Sequence, residues 1–377
     1  METLILSCGT GGGHNAAGKA VADELRRRGH QVTFTDPYLL AGRNVANLVS
    51  DSYVRLVQRS PGLFGKMYSL GESYRQLPIH SPVYWVNGKM ASVMGEYLDA
   101  HHFDLIIMSH MYPAHILTNL KQQRFALPRT MLIATDYTCI PFMEETDCDY
   151  YVVPSDDLVD RFSAYGIPAE RMLPYGIPVS SEFSEGISKR QARAALRLDQ
   201  QSRYILLSGG SIGAGKIEET IEVITDFLQE QKECTLIVIC GRNERLRCRL
   251  ARRYGDDPRI LIKGSTSHMA QYMAACDLFI TKPGGLSSTE AAVLGVPLVH
   301  LSPIPGCETY NMEYFVRRHM SVAVCDPTKE LPDVLSRFAD GTLSAQMKAA
   351  QRACIDRRAR SACAISSKAA DDQGSGV

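Results

Sequence analysis

The amino-acid sequence predicts an α/β protein with two Rossmann-like domains, and three observations lead to that prediction. Short apolar runs rich in Val, Ile and Leu recur along the 377 residues, as expected for parallel strands buried on both faces of a sheet. Amphipathic segments separate these runs, which indicates βαβ units. Glycine-rich turns follow one run in the first half of the chain and two in the second, at the positions where open α/β sheets bind their ligands.

Eleven apolar runs are the predicted strands. The first half holds TLILSC (3–8), QVTFTD (31–36), FDLIIMSH (103–110), RTMLIATD (129–136) and DYYVVP (149–154). The second half holds RYILLSG (203–209), CTLIVICG (234–241), RILIKG (259–264), CDLFITK (276–282), VPLVHLS (296–302) and MSVAVCD (320–326).

The seam between the halves is predicted at LPYGIPVSSEF (173–183), which carries two prolines and a glycine. A surface loop within one large domain is the alternative. We therefore expect an N-terminal domain over 1–177 and a C-terminal domain over 178–350. Residues 351–377 are expected to form a helix that crosses back to the N-terminal domain, followed by a disordered tail from about Ala369.

Composition excludes several classes of protein. The chain is 45% hydrophobic and 22% charged, with a formal net charge of zero, so nothing favours a nucleic-acid partner. Eleven cysteines without a CxxC pair indicate reduced thiols in a cytosolic protein and no zinc site. No run approaches the roughly 20 apolar residues of a membrane-spanning helix, and the N-terminal run lacks the features of a signal peptide.

The segment 43–89 interrupts the alternation with helical patches. It holds six basic residues against two acidic ones, interleaved with aromatic side chains. A basic, aromatic-rich insertion suits an anionic membrane surface. The alternative is that its apolar residues pack on the sheet and its charges are solvated, and the same choice applies to the arginine-rich stretch RNERLRCRLARR (242–253).

The glycine loop in LSCGTGGGHNAAGKA (6–20) admits three interpretations. A phosphate-binding loop of the Walker A type lacks its hydroxyl, because Ala20 follows Lys19. A dinucleotide fingerprint would use Asp36 at the end of the second strand. In the third interpretation, His14 in the first turn of the following helix is a chemical residue or substrate clamp; a purely helix-capping histidine is the alternative to that role.

In the second half of the chain, the motifs favour a nucleoside diphosphate as the ligand of that half. Two strand–glycine–helix turns, SGGSIGAGK (208–216) and TKPGGLSSTEA (281–291), would present backbone N–H groups to phosphate. Ser287 or Ser288 is predicted to cap the second helix. Glu290 in that helix could accept both hydroxyls of a ribose, with complementation of the helix dipole as the alternative. Glu308 and Asn311, in PIPGCETYN, suit hydrogen bonds to sugar hydroxyls.

Together the motifs GTGGGHNAA, GGSIGAGK, TKPGGLSSTEA and PIPGCETYN resemble glycosyltransferase family 28, whose members have the GT-B fold of two Rossmann-like domains facing across a cleft. The KPGG stretch is similar to the glycolipid synthases of that family. The resemblance implies inverting transfer from a UDP-sugar without a cofactor or an essential metal. Cys307 stands where the family usually has Gln, so the identity of the sugar stays open.

The resemblance assigns residues to three roles. His14 and Asp136 are the candidate catalytic residues; which of them is the base stays open. The acceptor is expected at Gly12, Gly13, His110 and Tyr137. The donor is expected at Gly209, Gly210, Ser211, Gly213, Ser265, Thr266, Lys282, Gly284, Gly285, Glu290, Glu308 and Asn311, with no metal site.

The expected function is transfer of a hexose from a UDP-sugar to a diacylglycerol-type lipid, by a cytoplasmic enzyme held peripherally on the inner face of the cell membrane. The alternatives are a UDP-GlcNAc transferase that makes a lipid II-type product, a UDP-GlcNAc 2-epimerase on a similar fold, and an NAD-binding protein that uses the first glycine loop.

Overall fold

The computed structural model describes residues 1–9, 12–355 and 361–374. The chain divides into two compact units. Unit 1 comprises Met1–Ser180, Pro305–Cys307 and the segment from 359 onward; unit 2 comprises Ser181–Ile304 and Glu308–Arg358. The boundary at 180/181 falls within the proline-rich segment 173–183.

Each unit contains one six-stranded, fully parallel sheet, and elements are numbered along the whole chain. Unit 1 holds β1 (Glu2–Leu6), β2 (Gln31–Thr35), β3 (Leu105–Met108), β4 (Arg129–Ile133), β5 (Tyr150–Val152) and β6 (Met172–Leu173). Unit 2 holds β7 (Arg203–Ser208), β8 (Cys234–Ile239), β9 (Ile260–Lys263), β10 (Leu278–Thr281), β11 (Leu298–Leu301) and β12 (Val322–Val324).

Helices connect the strands. The first seven are α1 (Gly12–Arg27), α2 (Arg43–Arg59), α3 (Pro61–Tyr74), α4 (Pro82–Gly88), α5 (Ala91–Asp99), α6 (Met111–Gln122) and α7 (Val159–Ser163). The next nine are α8 (Ser181–Ser184), α9 (Lys189–Ala195), α10 (Ile217–Glu230), α11 (Glu244–Tyr254), α12 (Met269–Ala275), α13 (Gly285–Leu294), α14 (Cys307–Arg317), α15 (Pro327–Ala339) and α16 (Thr342–Cys354); α17 (Ser361–Gly374) belongs to unit 1.

The sheets confirm the α/β prediction. All eleven predicted runs contain a strand, and in most of them buried Val, Ile and Leu side chains explain why the run is almost continuously apolar; β2 differs, since none of its residues is buried. The prediction missed only β6, which is two residues long and overlaps the start of the stretch taken as the linker. Two residues are too few to show a periodic pattern.

The order of the strands determines which loops lie at the reversal point of each sheet. The order is β2-β1-β3-β4-β5-β6 in unit 1 and β12-β11-β10-β7-β8-β9 in unit 2. In each sheet the chain first builds outward from one strand and then returns to its other side. The direction reverses between β1 and β3 in unit 1 and between β7 and β10 in unit 2, and ligands of doubly wound sheets bind at the carboxyl ends of such strands.

The core of unit 1 includes α17. Ile365 is fully buried and clusters with Val21, Leu25 and Ile133 of the first part of the chain. Arg28 at the end of α1 also donates to the Ser367 hydroxyl at 2.9 Å. Residues 369–374 belong to α17, and Ala369 is buried in this cluster. The predicted disorder from Ala369 is therefore wrong for these residues. Residues 375–377 lie outside the described residues.

The insertion 43–89 is helical, as predicted, but its basic residues differ in their exposure to solvent. Arg75 does not face solvent: its side chain is 3% exposed, lies over the Tyr165 ring and pairs with Glu144 at 2.5 Å. Arg43, Lys66 and Lys89 are exposed. Within residues 1–9, 12–355 and 361–374, we find no helix long and apolar enough to cross a membrane.

Candidate functional site

In unit 1 the candidate site lies where β1 and β3 end. Helix α1 starts at Gly12, and Gly13 and His14 follow in its first turn. Thr10 and Gly11 of the same loop lie outside the described residues. Helix α6 starts directly after β3, with His110 as its N-cap. The two helix starts meet at the reversal of strand order, so both histidines come to the same edge of the sheet.

The environment of His14 defines its tautomer. Its Nδ1 lies 2.9 Å from the Ser109 carbonyl oxygen and 2.8 Å from the Thr135 hydroxyl. A carbonyl can only accept, so Nδ1 carries the hydrogen in the neutral ring and Nε2 is left as the basic nitrogen. Burial lowers the pKa of His14, while the nearby Asp136 carboxylate and the Ser109 carbonyl act in the opposite direction. The ring is therefore neutral at pH 7 and able to take a proton.

Two further predicted residues, His110 and Asp136, lie close to this ring. The His110 ring stands edge-on to His14 with 4.5 Å between ring centres, and its Nδ1 accepts from the Tyr112 amide. Burial first, and then His14 and His115, hold the pKa of His110 well below its usual range. Asp136 lines the same small cavity as both histidines. Tyr137 is buried, next to Asp136 in the chain.

Asp36 has a different task from the one that a dinucleotide site would give it. One carboxylate oxygen accepts from the Gly9 amide at 3.1 Å and the other from the Tyr38 amide at 2.9 Å. The Ser50 hydroxyl of α2 in turn donates to the Gly9 carbonyl at 2.6 Å. Asp36 thus ties the glycine loop to the next segment, which counts against the dinucleotide interpretation.

In unit 2 the turn after β7 contains Gly209, Gly210, Ser211 and Gly213. Gly210 and Gly213 have φ values of +71° and +59°, in the region that favours glycine. A Cβ atom on Gly213 would lie 2.3 Å from the Cys240 carbonyl oxygen. The turn is therefore closed tightly against its neighbour, and its glycines are required by both conformation and space.

The turn after β10 is tied to α14. The Lys282 ammonium pairs with the Glu308 carboxylate, whose other oxygen accepts from the Ile304 amide at 2.9 Å. The buried Asn311 amide donates to the Pro283 carbonyl at 3.1 Å. Glu308 and Asn311 thus lie beside the KPGG turn, and both help to hold that turn.

Helix α13 has a different N-cap from the predicted one, and it buries Glu290. Its N-cap is Gly284, followed by Gly285, and no side chain caps it. Ser288 is buried instead and lies 2.9 Å from the His300 ring, which contacts Ser321 at 3.0 Å on its other side. The expected serine cap is therefore wrong, because the helix starts earlier. Glu290 is almost fully buried, and this burial raises its pKa to about 8.

The remaining donor-side predictions, Ser265 and Thr266, lie in the loop between β9 and α12, where the Thr266 hydroxyl accepts from the His268 amide at 3.0 Å. Unit 1 thus holds every predicted catalytic and acceptor residue, and unit 2 every predicted donor residue. Across the described part of the chain, no group of three His, Cys, Asp or Glu side chains is placed to hold a metal. The roles of all these residues stay predictions.

Sequence reasoning missed several members of the site. Thr135 and the Ser109 carbonyl hold His14, and Asn243 at the end of the β8 loop contacts the Gly213 carbonyl. A signal for Asn243 existed: GRN follows an apolar run and precedes a helix, which is a capping position. For Thr135 no signal existed, since a threonine at a strand end is ordinary.

Two doubly wound parallel sheets with polar, glycine-rich loops at each reversal define the GT-B class of folds. MurG of Acinetobacter baumannii has a TM-score of 0.58 with this chain, at 15% identity over 98% of this chain and 99% of that one. A UDP-GlcNAc 2-epimerase of Neisseria meningitidis scores 0.65 at 12% identity, over 99% and 100% of the two chains. At these identities the likeness shows the fold alone.

The family follows from two matches, one in each half of the chain. Residues 14–179 match the model of monogalactosyldiacylglycerol (MGDG) synthase, and residues 204–356 match the C-terminal domain of glycosyltransferase family 28. Together the two matches cover most of the chain, which belongs to glycosyltransferase family 28, as the motifs indicated.

Two curated relatives agree with this membership. A processive diacylglycerol beta-glucosyltransferase of Staphylococcus carnosus is 31% identical over 235 residues, which cover 62% of this chain and 59% of the relative. A probable monogalactosyldiacylglycerol synthase 2 of Oryza sativa subsp. japonica is 28% identical over 368 residues, 90% of this chain and 74% of the relative. The match thus spans less than two thirds of the length of the staphylococcal protein.

Proposed function

We propose that the protein is an inverting glycosyltransferase that moves a hexose from a UDP-sugar to the hydroxyl of a diacylglycerol-type lipid at an anionic membrane surface. One observation carries the proposal: unit 1 combines a histidine of defined tautomer with a helical insertion rich in exposed apolar side chains. The names of the relatives agree, since both act on diacylglycerol.

The chemistry assigned to His14 follows from its tautomer. Nε2 takes the proton of the acceptor hydroxyl as the acceptor oxygen forms its bond to the anomeric carbon and the bond to UDP breaks. Asp136, which raises the proton affinity of the ring, stabilises the imidazolium that results. In the alternative assignment, Asp136 takes the proton and His14 orients the Asp136 carboxylate.

The donor is assigned to unit 2. Gly209, Gly210, Ser211 and Gly213 of the first turn and Gly284 and Gly285 of the second would face the diphosphate, beside Lys282. Glu290 would receive the ribose hydroxyls, and the loop at Ser265 and Thr266 the uracil. Glu308 and Asn311, next to the second turn, would contact the sugar.

A lipid acceptor needs a surface, and the insertion offers one. Of the ten large apolar side chains that are exposed among the described residues, eight lie between 48 and 86; they are Leu48, Leu63, Met67, Leu70, Leu77, Ile79, Trp85 and Val86. Trp85 is 60% exposed and Leu70 67%. Exposed apolar residues in such number mark an interaction site, and the exposed Arg43, Lys66 and Lys89 suit anionic lipid.

The arginine-rich helix α11 offers no comparable surface. Arg249 and Arg253 pair with Glu218 and Glu222 of α10, and Arg247 pairs with Glu244 on its own helix. This pairing favours the solvated-helix interpretation of that stretch.

The direct experiment incubates the protein with UDP-glucose, UDP-galactose or UDP-GlcNAc, with and without diacylglycerol in anionic vesicles, followed by mass spectrometry of the lipids. We expect a hexosyl-diacylglycerol and release of UDP that depends on the lipid. An altered sugar nucleotide formed without lipid would favour an epimerase, and failure of every donor to modify the lipid would contradict the proposal.

The membrane part is tested separately by co-sedimentation with anionic vesicles. Leu70→Asp should weaken binding by at least about tenfold, because a buried leucine contributes roughly 1.5–3 kcal/mol. Leu70→Met keeps the side chain apolar and should bind like the unmodified protein. Equal binding of all three proteins would count against this face.

A further inference from the structure

The loop after β8, residues 240–243, lies directly against the glycine turn after β7. The Arg242 amide donates to the Ser211 carbonyl at 3.0 Å. Gly241 has a φ of +57°, and a Cβ atom on it would come within 2.6 Å of the carbonyl oxygens of Gly210 and Ser211. The two loops therefore meet backbone to backbone.

One side chain joins them as well. The Asn243 Nδ2 donates to the Gly213 carbonyl at 3.2 Å, and its Oδ1 accepts from the Leu246 amide at 3.0 Å. The second bond caps α11, which is anchored in unit 2 by the buried Leu246 and Leu250. Asn243 thus connects a turn rich in glycine to a fixed helix.

This connection decides how the turn presents its amides. The turn contains Gly210, Gly213 and Gly215, all with positive φ, and glycines lose the most conformational freedom on ordering. In a planar trans peptide the C=O and N–H bonds point in opposite directions. Tying the Ser211 and Gly213 carbonyls to the 240–243 loop therefore orients the peptide planes of the turn before any ligand arrives.

We propose that Asn243 is a positioning residue for the diphosphate of the sugar donor, acting through the 209–216 turn. This inference rests on the donor role proposed above for that turn. It also accounts for the residue type: Asp, Ser or Asn cap helices equally well, but an amide offers one fixed acceptor and one fixed donor at once. The cap alone would not need the donor.

The variant Asn243→Asp distinguishes the capping of α11 from the hydrogen bond to the Gly213 carbonyl. The variant keeps an acceptor for the Leu246 amide but sets a carboxylate oxygen against the Gly213 carbonyl. We expect UDP to bind about tenfold more weakly, the donor KM to rise more than kcat falls, and the amides of 209–216 to exchange hydrogen faster without ligand. The amides of α11 should exchange as in the unmodified protein.

Ser188→Ala is the matched control, because it removes the N-cap of another helix of the same unit, α9, away from the turn. It should lower the unfolding temperature and leave UDP affinity unchanged. Unchanged exchange of 209–216 in Asn243→Asp overturns the inference whether or not UDP binds, and so does equal loss of protection in α11. If the unmodified protein binds no UDP, the proposed function fails and the donor role of Asn243 fails with it, while the exchange data still decide whether Asn243 orders the 209–216 turn.

Discussion

Replacing Glu290 by Gln should remove a strong pH dependence from unit 2. The carboxyl group is almost fully buried on α13, and burial raises its pKa from 4.5 to about 8. Between these values the folded protein holds a proton that the unfolded chain releases, so stability falls as the pH rises through this range. At 1.36 kcal/mol per pKa unit the full loss is about 5 kcal/mol.

The magnitude can be worked out at two convenient pH values. At pH 5 the unfolded carboxyl is already partly ionised, and the loss is about 1 kcal/mol; at pH 9 it is about 5 kcal/mol. The free energy of opening of α13 should therefore fall by about 4 kcal/mol more in the unmodified protein than in Glu290→Gln. This difference corresponds to roughly a thousandfold in the opening equilibrium.

Hydrogen exchange of α13 peptides is the appropriate assay. The chain has one tryptophan, Trp85, which lies in unit 1, so tryptophan fluorescence does not report unit 2. A protein with two units also need not unfold in one step. Comparing the two proteins at the same pH cancels intrinsic exchange rates. If their ratio of protection is the same at pH 5 and pH 9, the carboxyl group is not buried as described and the reasoning fails.

Three other changes test the sites. His14→Ala should leave UDP affinity nearly unchanged and lower turnover by about 10²- to 10⁴-fold, measured by lipid-dependent UDP release; normal turnover would exclude His14 as the base. Gly213→Ala should destabilise unit 2 by more than about 2 kcal/mol in hydrogen exchange, since its Cβ would lie 2.3 Å from the Cys240 carbonyl, whereas Gly62→Ala, with open space around it, should be tolerated. Burial lowers the pKa of His300 to about 3, so this residue costs unit 2 about 2 kcal/mol between pH 6.5 and pH 5, as the unfolded chain gains a proton, against a gain from Glu290 over the same interval; the stability of His300→Gln should therefore rise by about 2 kcal/mol relative to the unmodified protein, and an equal change in both proteins would refute it.

Most of the fold could be predicted because the strands are parallel and buried. Such strands are apolar on both faces, so runs such as RYILLSG and CTLIVICG stand out without any alternation to interpret. Helix starts were less predictable. Ser287 and Ser288 are both good capping residues, yet α13 begins at Gly285, because packing places Ser288 against His300 in the interior.

The site was predictable where a residue type has few uses. A histidine after a glycine run, or a glutamate in the first turns after KPGG, is unusual enough to attract a hypothesis. The partners of those residues were not predictable, since they come from distant parts of the chain: Thr135 is 121 positions from His14. Likewise Arg75 counted as a surface charge in the sequence, and only the fold reveals Glu144 beside it.

The docking of α17 in the core of unit 1 has a consequence for how the protein is made. Unit 1 is discontinuous: Val21 and Leu25 leave the ribosome early, while Ile365, which packs with them, is synthesised only after all of unit 2. Unit 2 can therefore complete its core during synthesis, whereas unit 1 has to wait with apolar surface uncovered. A chain that stops before residue 361 would carry a finished unit 2 and an unfinished unit 1, and would be a natural substrate for chaperones and proteases.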